Sequence, residues 1–167
     1  MMTNVWKSKE LGKRTKMRLF NSNVKTVLLY GSETWRTTKS ITQKLQAFIN
    51  KCLRRILGIK WMDMVSNDEL RNRSGQQPLA EDLTRREWRW IGHTLRKPTA
   101  SITRQALIWN PQGKRKRGRP RNTWRRDLEA EARQTGFSWS QLERVAQDRV
   151  RWRELVGDLC SRRSDGL

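Results

Sequence analysis

Apolar residues recur along this chain at spacings of three and four almost throughout, the period of helices that bury one face. Between Arg14 and Leu29 the positions Met17, Phe20, Val24, Val27 and Leu28 follow it, and Gly31 closes the run. The next segment carries the clearest pattern. Ile41, Leu45, Phe48, Ile49, Cys52, Leu53, Ile56 and Leu57 form one helical face, Lys44, Lys51, Arg54 and Arg55 lie opposite, and Gly58 supplies the stop. Ser66-Asn-Asp-Glu69 has the spacing of a capping box and opens a short helix that Gly75 ends. Pro78, at a first-turn position, starts a helix through Leu83, Trp90, Ile91 and Leu95 that must finish before Pro98. A short helix is expected from Ile102 to Ile108.

The pattern then breaks. Asn110 to Arg121 is poor in apolar residues and holds two Gly and two Pro, which predicts a linker or mobile loop. Beyond it, Trp124, Leu128 and Ala132 share a face that Gly136 terminates. Ser138-Trp-Ser-Gln141 is a second capping box leading to Leu142, Val145 and Ala146, and Trp152, Leu155, Val156 and Leu159 repeat at helical spacing. The sequence has no hairpin signature and no internal repeat. It predicts an all-α protein of short amphipathic helices joined by basic loops around a thin, Trp-rich core. The expected organisation is a helical region over 1–97, a basic linker over 98–121, a small helical unit over 122–160 and a tail over 161–167.

Composition explains why that core is thin. Leu, Ile, Val and Phe total 34 of 167 residues, close to the level at which highly charged chains stay unfolded. Nine tryptophans tip the balance toward folding, because each can bury a large area. Two cysteines, Cys52 and Cys160, make no disulfide framework and suit a reduced compartment. The longest apolar run, Val27 to Tyr30, is far too short for a spanning helix or a signal-peptide core. The expectation is a soluble intracellular protein, nuclear or cytoplasmic, with no membrane partner.

Charge changes the picture most. With 37 Lys and Arg against 16 Asp and Glu, the chain carries a formal +21, and nucleic acid is the polyanion that such a balance suits. Lys114, Arg115, Lys116, Arg117, Arg119, Arg121, Arg125 and Arg126 are eight bases in a segment without an acid. They are the expected phosphate contacts, and Arg85, Arg86, Arg89 and Arg96 extend the patch. If about six met phosphates, the salt slope would be roughly −5, about a thousandfold in affinity between 50 and 200 mM salt. A solvated charge run or a nuclear-import address is the plainer reading. Arg117-Gly-Arg-Pro120 resembles an AT-hook core, in which an extended Arg-Gly-Arg enters a narrow minor groove.

Catalytic chemistry is not legible. Two-metal phosphoryl transfer needs converging carboxylates, whereas the acids here are scattered among bases, and Glu129, Glu131 and Asp148 read as helix-surface ion-pair partners. The sequence shows no Gly-rich phosphate loop and no nucleophile elbow, so no catalytic residue, cofactor or metal is expected. His93, the single histidine, could join Cys52 and Cys160 in a metal site, but no pair has the short spacing of structural zinc. His93 is expected instead at a helix contact. Trp90, Trp109, Trp124 and Trp152 are expected to be structural, with base stacking by Trp88, Trp90, Trp124 or Trp152 as the alternative.

Five motifs in order carry a resemblance. They are Leu28-Leu-Tyr-Gly-Ser-Glu-Thr-Trp35, Cys52-Leu-Arg-Arg-Ile-Leu-Gly-Ile-Lys-Trp61, Trp90-Ile-Gly-His-Thr-Leu-Arg96, the Trp109 to Trp124 segment with its Lys-Arg-Lys-Arg-Gly-Arg-Pro-Arg run, and Ala146-Gln-Asp-Arg149 with Trp152. Together they resemble the C-terminal part of non-LTR retrotransposon endonuclease-reverse transcriptases, from about Trp6 to Cys160. The resemblance implies a thumb-like region over 1–97 followed by a basic segment that engages template RNA or target DNA. The family's catalytic Tyr/Phe-x-Asp-Asp element is absent, and Ser32 stands where the family often has cysteine. The resemblance therefore implies a truncated copy, with Met1-Met-Thr-Asn4 in place of upstream palm sequence, that does not polymerise DNA by itself. A surface built to dock on a palm would be left bare, with Met17, Phe20 and Val27 as its first candidates. The alternatives are an accessory part completed by a palm in another chain, or a partly folded remnant.

Overall fold

The computed structural model describes residues 3–108, 124–134 and 136–165, with side chains described over 4–108, 124–134 and 136–161. These residues are all-α, and no strand occurs among them. The helices are α1 (Thr3–Lys7), α2 (Lys13–Leu19), α3 (Thr26–Leu28), α4 (Lys39–Leu57), α5 (Asn67–Ser74), α6 (Leu79–Leu95), α7 (Ile102–Ile108), α8 (Trp124–Gln134), α9 (Trp139–Gln147) and α10 (Arg149–Asp165). A wide π-type turn, Phe20–Lys25, connects α2 to α3. The chain divides into two compact units, one of residues 1–32 and 37–83, the other of 33–36 and 84–167. The division falls inside α6, not at the 97/98 boundary expected from the sequence. Apolar residues decide this: Leu79 and Leu83 join the first core, Trp88, Ile91 and Leu95 the second.

The first unit centres on α4. Ile49, Cys52, Leu53 and Ile56 are buried on the face that their spacing predicts. Thr38 caps the helix by accepting from the Ile41 backbone N–H, and Gly58, at φ 72°, ends it in the left-handed region. Trp6, Phe20, Leu29, Leu70, Leu79 and Leu83 complete this core. Gln46 of α4 serves a neighbouring helix start: its side-chain carbonyl accepts from the Leu79 N–H at 2.7 Å, which satisfies one of the donors that a helix N-terminus leaves open. The Ser66 hydroxyl accepts from the Glu69 N–H at 3.1 Å. Glu69 does not complete the expected box, because its carboxylate instead accepts from the Arg73 Nε–H at 2.6 Å.

Two features here escaped the periodic pattern. Helix α1 is one, and its Trp6 is buried. Its end is held by Lys16, whose buried ammonium donates to the carbonyls of Trp6 at 2.8 Å and Ser8 at 2.7 Å. A cation on the open carbonyls of a helix C-terminus is electrostatically favourable. The second is the π-type turn, where the polar run Asn21-Ser-Asn23 has low helix propensity and the Thr26 hydroxyl donates to the Ser22 carbonyl. The wider turn rotates the following residues out of the expected stripe. Leu29 is buried while Val27 is 77% exposed, a correction to the face that Val27 was expected to share.

The second unit is built on tryptophan. Trp88, Ile91 and Leu95 of α6 are buried with Leu107, Leu128, Ala132, Leu142, Ala146 and the α10 residues Trp152, Leu155, Val156, Leu159 and Cys160. Residues 88–95 thus share a core with residues of 128–160. The Trp152 indole N–H donates to the Trp88 carbonyl at 2.9 Å, and the two rings lie 6.0 Å apart, tilted by 48°. Gly92 makes this possible. A methyl group there would collide with Nε1, Cε2 and Cδ1 of the Trp152 ring. At α9, Ser138 and Gln141 form the complete capping box that their spacing predicts.

Helix propensity favours Gly92→Ala by up to about 1 kcal/mol. Overpacking against Trp152 and loss of its buried hydrogen bond oppose it with about 3 kcal/mol or more. The variant is therefore expected to lower stability in urea unfolding, and a gain in midpoint would refute the contact. Lys16→Met is expected to lose about 1.5–3 kcal/mol through its two charge-assisted hydrogen bonds, read as a lower Tm with faster amide exchange over Val5–Ser8.

Candidate nucleic-acid interface

Trp109, Lys114, Arg115, Lys116, Arg117, Arg119 and Arg121 lie outside the described residues, and with them the AT-hook-like core. The remaining sequence-predicted contacts are all placed, and several have internal roles. Arg125, in the first turn of α8, donates from Nε to Glu129 at 2.8 Å and from Nη1 to the Leu107 carbonyl at 3.4 Å. Its guanidinium lies 5.2 Å from the Trp139 ring centroid, a cation–π distance. Arg96 donates to the Ala146 carbonyl at 3.0 Å, near the end of α9. Burial first, and then the charge of Arg149, pull the Arg96 guanidinium below its ordinary value. Arg86 pairs with Glu33 at 3.6 Å.

Arg89 and Arg126 are exposed, and Arg85 is half-buried. The interleaved arginines of α6 and α8 therefore differ in exposure, and Arg125, Arg96 and Arg86 are held against acids, carbonyls or a ring. The Trp-Arg pattern could not separate them, because the partners Glu33, Leu107, Trp139 and Ala146 are distant in sequence or set by helix packing.

Of Trp90, Trp109, Trp124 and Trp152, three are described, and each lies in or against the second core. Trp152 is buried, and Trp90 and Trp124 pack edge to face, with centroids 5.9 Å apart. The Trp124 indole N–H donates to the carboxylate of Glu87, which is itself buried. Trp152 is closed to stacking by burial, whereas Trp90 and Trp124 are half-buried. His93 is exposed, and the helix contact expected of its imidazole is made by the adjacent Gly92.

Cys52 is buried in the first core and Cys160 in the second. Burial pushes the Cys52 thiol up, against a smaller opposing pull from Arg55 and Lys51. Among the described residues, no three His, Cys, Asp or Glu side chains are grouped to hold a metal ion. No helix among them is long and apolar enough to cross a membrane. Of the residues expected to be bared for a palm, Phe20 is fully buried and Met17 packs against the first core, so only Val27 is exposed. Phe20 is inside because it opens the wide turn, before the rotation that carries Val27 outward.

A basic surface also occurs in the first unit. Lys39, Lys44, Lys51, Arg55 and Lys60 are exposed, and residues 39–60 include no acid. Shortly after α4 comes the turn Trp61–Asp63, in which Trp61 is 84% exposed. The signal for this surface was present as a polar face of α4, but exposure of Trp61 was not legible, since it falls outside any helical stripe.

Comparison with known proteins gives limited relationships. Residues 1–30 match a family described as a domain of unknown function, DUF6451. Over 152 residues the chain is 26% identical to an uncharacterized transposon-derived protein of Caenorhabditis elegans, a similarity that covers 86% of this chain and 54% of the relative. The chain thus spans about half the length of that relative. No solved structure matches. Over most of its length, then, the chain is similar to a transposon-derived protein, which supports a transposon-related origin.

Proposed function

We propose that this chain is a non-catalytic nucleic-acid-binding fragment of a non-LTR retrotransposon reverse transcriptase, corresponding to the region that follows the polymerase palm. The observation that carries the reading is charge: a formal +21, with eight basic residues and no acid between Lys114 and Arg126. Five motifs in the order of that family, and similarity to a transposon-derived protein, support the origin. The sequence lacks the Tyr/Phe-x-Asp-Asp element that supplies palm carboxylates. The proposed role is therefore binding, with RNA or DNA held through phosphates and the chemistry left to a palm.

Within this reading the phosphate contacts are Lys114, Arg115, Lys116, Arg117, Arg119 and Arg121, joined by the exposed Arg89. Arg125 and Arg96 act indirectly, by holding α8 and α9 in place through Glu129, Trp139 and the Ala146 carbonyl.

The test is a salt series with single-stranded RNA, single-stranded DNA and duplexes of different A·T content. Replacing Lys114, Arg115, Lys116 and Arg117 by glutamine is expected to weaken binding to every sequence and to make the salt slope shallower by about 3. An unchanged slope would remove the segment from the interface. Failure of the unaltered chain to bind at low salt would overturn the function itself. Arg125→Gln is expected to act chiefly as a lower Tm.

A further inference from the structure

The exposed tryptophan in the first unit has a built setting. Trp61 stands on a short turn whose two flanks are fastened to one residue of α4. The Ile59 N–H donates to the Arg54 carbonyl at 2.9 Å, and the Arg54 guanidinium donates to the Val65 carbonyl at 3.0 Å and to Asn67 Oδ1 at 3.0 Å. Within the turn, Asp63 accepts from the Lys60 N–H at 2.7 Å, and Met64 adopts a left-handed conformation at φ 49°. Backbone held at this many points presents the ring on a fixed support. Trp61 is nevertheless 84% exposed, with Met62 and Met64 exposed beside it in sequence.

Asp63 of the same turn is engaged by the Lys60 N–H, and the charged residues that precede the turn from Lys39 onward are all basic. Lys44, Lys51 and Arg55 fall within about 40° of arc on α4 and span about 16 Å along its axis. All three are exposed, and Lys60 immediately precedes the ring. An exposed indole that follows a helix bearing a row of exposed cations supplies the two parts by which proteins hold single strands: bases stack and phosphates track the charge. A second copy of this chain suits the surface poorly, because it would bring together two segments that each carry six bases and no acid over 39–60.

We infer that Trp61 is a base-stacking platform for single-stranded nucleic acid, with Lys44, Lys51, Arg55 and Lys60 receiving the phosphates of the same strand. The inference rests on the binding function proposed above. It moves stacking from the packed tryptophans of the second unit to one that the fold leaves open.

The experiment compares the full chain with Trp61→Ala and Trp61→Phe. Affinities are measured for a short single-stranded oligonucleotide, as RNA and as DNA, and for abasic strands of equal length and phosphate count. Trp61→Ala is expected to lose about 5- to 150-fold on the base-bearing strands and nothing on the abasic ones, while Trp61→Phe keeps most of the affinity. Replacing Lys44, Lys51 and Arg55 by glutamine should weaken both strand types alike. Circular dichroism and melting of each variant establish that it is folded.

If the unaltered chain binds none of the strands, the binding function fails. If it binds and Trp61→Ala binds equally well, the stacking platform alone is overturned. Loss of anionic-vesicle binding in Trp61→Ala with oligonucleotide binding intact would assign the ring to a lipid surface instead. A change in sedimentation from dimer to monomer with oligonucleotide binding intact would assign it to a contact between copies.

Discussion

The second unit depends on the seating of Trp152 across Gly92. An indole is the largest side chain a core can take, and here it reaches the backbone of α6 because position 92 has no Cβ. That approach lets the ring nitrogen donate to the Trp88 carbonyl at 2.9 Å. Burying an indole N–H without an acceptor is costly, so the hydrogen bond and the close approach stabilise each other. Leu155, Val156 and Leu159 follow Trp152 at helical spacing into the same core, where Leu128, Ala132, Leu142 and Ala146 meet them. A chain with few aliphatic residues thus gains a dense core from a small number of large rings.

The same economy governs the charges. A protein with so large an excess of bases must place many of them where they do not repel one another. Several arginines are consumed by the fold. Arg54 ties the turn after α4, Arg96 bonds the Ala146 carbonyl, and Arg125 lies between Glu129 and Trp139. Lys16 is the clearest case, a buried ammonium that closes the end of α1. Among the described residues the exposed bases are spread over both units, and those between Lys39 and Lys60 form a run without an acid. Positive charge here serves two ends, and only the local partners distinguish a structural arginine from one available to phosphate.

This distinction bears on the origin of the protein. A buried cation matched to two carbonyls and a glycine placed under an indole are local fits of a folded unit. Similarity to a transposon-derived protein supports a transposon-related origin.

The sequence by itself determined the helical class, most helix ends and the charge. Capping by Ser66 and Ser138, the stop at Gly58 and the buried face of α4 depend on residues a few positions apart, so local spacing reads them correctly. Net charge is a sum over residues and needs no fold. Tertiary structure decided what periodicity could not carry. It set the wide turn that moves Val27 outward and the assignment of α6 residues to two cores. It also paired the arginines and left Trp61 open while Trp152 is closed. Each of those outcomes turns on contacts between residues far apart in the chain, or on one turn's hydrogen bonding, which shifts every side chain after it by about a quarter of a revolution.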